Sequence, residues 1–243
     1  MVDCGGAGEP AMGQTRAHTD WTPSGHGASS APARPLPRGL MIALVTIWMV
    51  ALFAAMAGLW KYKLTPGPRP SSPPHGDWPS GSQLSLQPDT PTLVMFAHPQ
   101  CVCTRASLAE LRQVTSRFGS RVHATVAFVR PAGTPKDWTH SDTWDLAGSI
   151  PGVTVLADDD GREAARFGSR TSGHVVLYST TGRLLFAGGI TPARGHVGDS
   201  PQMDRLVALL ESEIRRPSPT DHSTKPSDTP GAVYGCPLTE NMP

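Results

Sequence analysis

Little in this sequence suits a large compact interior or a polyanionic partner. Aromatic residues make up 6% and charged residues 17% of the 243 positions, and the formal net charge is +1. No cluster of lysine and arginine departs locally from that balance, which argues against nucleic acid as a partner. Only four cysteines occur, Cys4, Cys101, Cys103 and Cys236. They are too few for a disulfide-stapled scaffold and too scattered for a zinc ribbon, which needs two close pairs. There is no phosphate-binding Gly-x-x-x-x-Gly-Lys-Ser/Thr run and no dinucleotide fingerprint, so no nucleotide is expected. Internal repeats are also absent.

What the chain does have is 25 glycines, 25 prolines and one long apolar run. Leu40 to Trp60 reads LMIALVTIWMVALFAAMAGLW, without a charge, and at helical rise it covers a bilayer core of about 30 Å. Trp60, Lys61, Tyr62 and Lys63 follow as an interfacial belt. The positive charges on the two sides do not decide orientation. An N-terminus inside is expected from architecture, because the only foldable segment follows the span. Cleavage after Ala-Ala-Met-Ala, as in a signal peptide, is the alternative. Either way the main domain is expected outside the cytoplasm. The resulting expectation is a single-pass inner-membrane protein with its domain in the periplasm, where thiols can be held as disulfides.

Composition divides the rest. Residues 1–39 read as a disordered tail, 40–60 as the transmembrane helix and 61–89 as a Pro/Gly/Ser linker. Residues 90–215 read as the domain, and 216–243 as a disordered tail carrying Cys236. Within the domain, Thr92 to Ala97 (TLVMFA) is an apolar run of strand length, as for a strand covered on both faces. A helical pattern follows, with Leu108, Leu111, Val114 and Phe118 along one side. Arg121 to Val129 reads as a second strand, parallel to the first across that helix. A weak helix is expected around Ser141 to Ala147, then a short strand (VTVLAD) and a short helix ended by Gly168. GHVVLYSTTGRLLFAGG reads as a hairpin, and Gln202 to Arg215 as a closing amphipathic helix.

The order of strand, cysteine motif, helix, strand, helices, hairpin and helix resembles the thioredoxin fold: an α/β domain with a central mixed sheet flanked by helices. The likeness rests on TLVMFAHPQCVCTRASLAEL and SRTSGHVVLYSTTGRLLFAGG. The wording around the cysteines, with SGHVVLY, GGIT and RGHVGD further on, is similar to a bacterial group of membrane-anchored thioredoxin-like proteins sometimes labelled RedB. That resemblance implies a fold and a redox-capable site. Two features depart from thioredoxins. Cys101 and Cys103 enclose a single residue, Val102, so that a disulfide between them closes a smaller, more strained ring. The loop matching the thioredoxin cis-proline loop carries Ser172, Gly173 and His174 and no proline.

The residues themselves point to thiol–disulfide exchange. A thiolate is the attacking species, and a helix N-terminus lowers a thiol's pKa. Cys101 is the expected nucleophile and Cys103 the resolving thiol, with His98 near enough to hold a thiolate by charge. Ser107 and Glu110 match a capping box, which would start the helix later and weaken that effect. Gly173, His174, Arg194 and His196 are expected to line the substrate side, with Asp199 bracing the glycine-rich loop. Partners would be protein thiols or disulfides, with no cofactor. The rival reading is a copper site from Cys101, Cys103, His98 and His174, as in copper chaperones of the Sco type, and a third is a non-catalytic interaction domain. Cys236 stays open as a resolving thiol, an intermolecular bridge or a spare residue. Cys4, on the opposite side of the membrane, is expected to be inert.

Overall fold

A computed structural model describes residues 37–69, 76–215 and 231–238. The expected tail over 1–39, with Cys4, lies almost wholly outside them, as do residues 216–230 and 239–243 of the expected C-terminal tail. The chain divides between Met49 and Val50, and the first part contributes only the opening of helix α1 (Arg38–Leu64). That helix buries none of its side chains and, among the described residues, is the one helix long and apolar enough to cross a membrane. It outruns the apolar run at both ends, and at the C-terminal end Lys61 and Lys63 in its last turn favour the negative helix terminus.

The second part is built on a five-stranded sheet. Strand β1 (Thr92–Ala97) is buried at every residue, and helix α2 (Thr104–Phe118) carries the chain over to β2 (His123–Arg130), which pairs parallel to β1 from Thr92↔His123 to Ala97↔Phe128. β2 begins two residues later than its Val-rich composition implies, since Gly119–Arg121 form a 3-10 turn first. Helix α3 (Asp142–Gly148) starts at Ser141, whose hydroxyl accepts the Trp144 N–H at 3.4 Å. It leads to β3 (Val153–Asp159), parallel to β2. After α4 (Arg162–Arg166) come β4 (His174–Tyr178), antiparallel to β1, and β5 (Leu184–Gly188), antiparallel to β4. α5 (Pro201–Arg215) closes the domain. The strand order is β3-β2-β1-β4-β5. This is the thioredoxin-like α/β fold expected from the order of elements.

Strand alternation sorts the core into two layers. Leu93 and Met95 of β1 face Leu108, Leu111 and Val114 of α2 and Leu206 and Leu210 of α5. Val94 and Phe96 face the other way, toward Ala164, Phe167, Tyr178 and Leu238. Both faces of β1 are therefore dry, which accounts for its unbroken apolar sequence.

Among the described residues the second layer has only the short α4 as helical cover, and the stretches expected to be linker and tail complete it. Trp78 stands edge-on to Phe167 and Tyr178 with ring centroids 5.0 Å away in each case, and Leu84 is buried beside them. The Ser82 hydroxyl donates to Glu163 at 2.6 Å. The described part of 76–89 is thus packed domain, because its few large apolar side chains find an uncovered face of the sheet. Residues 231–238 behave likewise. The Gly231 N–H donates to the Ala187 carbonyl (2.9 Å), the Ala232 carbonyl accepts the Gly189 N–H (3.1 Å) and the Leu238 N–H donates to Arg170 (3.0 Å). The segment therefore covers the free edge of β5, where unpaired backbone groups would otherwise be left, and Leu238 is fully buried.

Candidate active site

Cys101 follows β1 after a three-residue stretch that the fold holds firmly. The His98 N–H donates to the Ser172 hydroxyl at 2.9 Å, that hydroxyl lies 2.9 Å from the Thr104 hydroxyl, and the Gly173 N–H donates to Phe96 at 2.8 Å. Gly173 has φ +87°, and a Cβ there would lie 2.5 Å from the Ser107 hydroxyl. Glycine is needed at this crossing for both reasons.

Helix α2 starts at Thr104 with Cys103 as its N-cap. The Cys103 carbonyl accepts the N–H groups of Ala106 (3.1 Å) and Ser107 (3.4 Å). The late start implied by Ser107 and Glu110 does not occur, because both side chains are used elsewhere. Ser107 packs against Gly173, and Glu110 accepts the N–H of Gly198 at 2.7 Å. Glu110, rather than the exposed Asp199, is the carboxylate that braces the glycine-rich loop.

The C-terminal segment brings a third sulfur. The Ser172 N–H donates to the Cys236 carbonyl at 2.9 Å, and the Cys236 and Cys101 sulfurs are 2.8 Å apart. The sulfurs of Cys101, Cys103 and Cys236 all lie within 4.8 Å of one another. All three are free thiols. Cys101 and Cys103 are only 2% and 7% exposed, whereas Val102 between them stands out into solvent. Gly235 makes the approach possible, since a Cβ there would meet the Ser172 carbonyl oxygen at 1.9 Å.

The three thiols titrate apart. Burial raises the Cys101 thiol, but hydrogen bonds from the Cys236 thiol, the Cys236 N–H and the Cys103 N–H outweigh it and leave Cys101 below the ordinary thiol value. Cys103 is pushed up by burial and by the charge of Cys101. Cys236 is pushed up to about 12, by burial first and then by its role as donor to Cys101. Arg194 opposes both rises. Its guanidinium stacks 5.0 Å from the Tyr62 ring centroid and donates to the carbonyls of Thr65 (3.0 Å) and Gly235. Cys101 is therefore the first of the three to give up its proton.

Of the expected site residues, the fold brings together Cys101, Cys103, Cys236, Arg194 and Gly173. The histidines do not join the sulfurs, and no ring nitrogen belongs to the close group among the described residues. His98 accepts the Gln100 N–H at 3.2 Å on Nδ1 and stands edge-on to Trp138. Burial lowers its pKa, so it is not a fixed positive charge beside the thiolate. His196 is exposed, with Nδ1 2.9 Å from the Arg194 carbonyl. Sequence reading gave Glu110 a helix cap instead of the loop, and missed Thr104 and Thr171, whose hydroxyl donates to the Pro68 carbonyl at 2.8 Å. Nothing local in the sequence marks them, whereas the glycine before Cys236 does mark the close approach.

His174 is buried, its Nδ1 has no partner, and burial lowers its pKa from 6.5 to about 4. The folded protein therefore refuses a proton that the unfolded chain accepts below pH 6.5. Stability on this account is full above pH 6.5 and is lost as pH falls toward 4, by up to about 3 kcal/mol. Urea midpoints measured from pH 7 to 4 are expected to fall, and to fall less in His174→Gln. An identical slope in the variant would assign the loss to other groups.

No family model and no curated protein matches the sequence. Solved structures do share its fold. An uncharacterized conserved protein from Geobacillus kaustophilus superposes with a TM-score of 0.51 at 15% identity, over 74% of this chain and 94% of its own. A hypothetical protein from Sinorhizobium meliloti 1021 gives 0.50 at 17% identity, over 73% and 96%. A secreted Mycobacterium tuberculosis disulfide oxidoreductase homologous to E. coli DsbE gives 0.36 at 19% identity, over 52% and 84%. At such identities the likeness to the first two concerns the fold alone.

Proposed function

We propose that this chain is a membrane-anchored thiol–disulfide oxidoreductase that works on protein thiols or disulfides outside the cytoplasm. Cys101 is the attacking sulfur. The observation that carries the reading is the Cys101 sulfur at the mouth of α2, kept below the ordinary thiol pKa by donors aimed at it. Its thiolate attacks one sulfur of a disulfide, forms a mixed disulfide and releases the other as a thiolate. A neighbouring thiol then displaces the first partner sulfur, and the Cys-x-Cys motif supplies one such thiol in Cys103. Arg194 attracts the developing negative charge, and Gly173 with His174 shapes the loop opposite the cysteines. The wording around the cysteines supports the closer likeness to the RedB-like group. Helix α1 supports a single-pass anchor in the inner membrane with the domain in the periplasm.

The close grouping of three sulfurs favours a second reading, a copper(I) site of Cys101, Cys103 and Cys236. Soft thiolates suit that ion, and Cys236 takes the place expected of a histidine. One experiment separates the two. The reduced full chain in detergent is equilibrated with glutathione buffers of stepped poise, quenched by alkylation and weighed, and in parallel titrated with copper(I) against a chromogenic chelator. Exchange predicts that Cys101 moves between thiol and disulfide across the series. A Cys101 that stays a thiol at every poise while copper(I) is held tightly would overturn the redox reading.

A further inference from the structure

Resting on the exchange reading, we propose that Cys236 completes the reaction, so that the oxidised protein carries a Cys101–Cys236 disulfide and not Cys101–Cys103. The first ground is placement. The Cys236 sulfur already lies 2.8 Å from that of Cys101, and it does so on a segment fixed along its length. The Val233 carbonyl accepts the Gly67 N–H (2.8 Å), the Cys236 carbonyl accepts the Ser172 N–H (2.9 Å) and the Leu238 N–H donates to Arg170 (3.0 Å). Thr171 and Pro237 form a β-bridge beside it. A chance neighbour would not be held from both sides.

The second ground is what each thiol would disturb by moving. Cys103 caps α2, and its carbonyl holds the first-turn N–H groups of Ala106 and Ser107. Drawing its sulfur onto Cys101 across the single residue Val102 twists that first turn. Cys236 belongs to no helix or strand of the sheet, and can close on Cys101 with its own segment's hydrogen bonds in place.

The electron balance is straightforward. The Cys101 thiolate attacks a partner disulfide RSSR′, forming the mixed disulfide Cys101–S–S–R, and R′S⁻ leaves and takes up a proton. Cys236 gives its proton to solvent or to the leaving thiolate and attacks the Cys101 sulfur, and RS⁻ departs. Two thiols of the chain are oxidised and one partner disulfide is reduced, and the reverse sequence oxidises a partner dithiol. The order is helped by the cluster itself. Once Cys101 is tied up in the mixed disulfide its negative charge is gone, and with it one of the causes that keep Cys236 protonated. Because Cys101 is almost fully covered, the segment lifts for the first attack and returns for the second, and the finished disulfide pins it down.

The test uses the full chain in detergent, reduced, exposed to glutathione disulfide, alkylated, digested without reductant and analysed by mass spectrometry. A peptide pair joining Cys101 to Cys236 is expected, and it persists in Cys103→Ser. In Cys236→Ser the Cys101–glutathione adduct is expected to accumulate at least tenfold over wild type. A Cys101–Cys103 product in wild type, formed equally in Cys236→Ser, would overturn the inference and leave exchange by Cys101 standing. Failure of Cys101 to react in any of the three chains would overturn both.

Discussion

Substitution of Cys101 by serine is expected to remove thiol–disulfide exchange almost entirely, by about a thousandfold or more, because Cys101 is the one thiol of the cluster held below the ordinary thiol value. Cys103 and Cys236 are both raised by burial and by the charge of Cys101. Serine removes that charge and so relieves one cause of each rise, but burial, the first cause in both, remains and keeps the two thiols poor nucleophiles. Insulin reduction, or the rate of adduct formation with glutathione disulfide, measures the loss. Exchange within tenfold of wild type in Cys101→Ser would show that another thiol attacks. A companion measurement probes the cause. Alkylation of Cys101 rises with pH as thiol becomes thiolate, and in wild type its midpoint lies below the ordinary thiol value. Cys236→Ala removes a donor to the charged sulfur, worth about 1.5 kcal/mol. The midpoint is expected to move up by roughly one unit. It would stay in place if Cys236 contributed nothing to the thiolate.

The second large effect is expected from a residue without any chemistry of its own. Gly235→Ala puts a methyl group into the Ser172 carbonyl, which a Cβ would meet at 1.9 Å, and 3.2 Å from the Thr171 Cγ2. The obstacle is backbone, so the segment has to leave its seat. Leaving exposes Leu238, whose burial holds the segment down by roughly 2 kcal/mol, and the clash with backbone outweighs it. Cys101 should then alkylate at least tenfold faster at a pH where it is fully ionised. Limited proteolysis should release the C-terminal segment from the variant and leave the sheet intact. An unchanged alkylation rate would mean that residues 231–238 do not cover the thiol.

Much of this fold was legible because its signals are local. The run Thr92 to Ala97, the stripe Leu108, Leu111, Val114 and Phe118, and the hairpin around Thr181 and Gly182 each declare their periodicity within a dozen residues, and the structure has all three. The capping-box reading of Ser107 and Glu110 failed for a physical reason. The same side chains that could cap a helix can also support a loop, and here Gly198 and Gly173 compete for them. The linker reading failed because composition averages over residues. Trp78 and Leu84 are few among prolines and glycines, yet two or three large side chains suffice to cover one patch of sheet.

The amino-acid order on its own determined the membrane-length helix, the parallel strand–helix–strand unit and the position of Cys101 and Cys103 between them. Those features arise from neighbours within one or two turns of chain, where hydrophobic spacing and helix ends act directly. Only the tertiary structure decided that the third sulfur of the site is Cys236, 135 residues beyond Cys101, and that the histidines stay apart from the sulfurs. Which distant segment fills the edge of β5 depends on backbone hydrogen-bonding groups that every residue carries alike. Their pairing is set by the shape of the folded surface, and one-dimensional patterning does not record it.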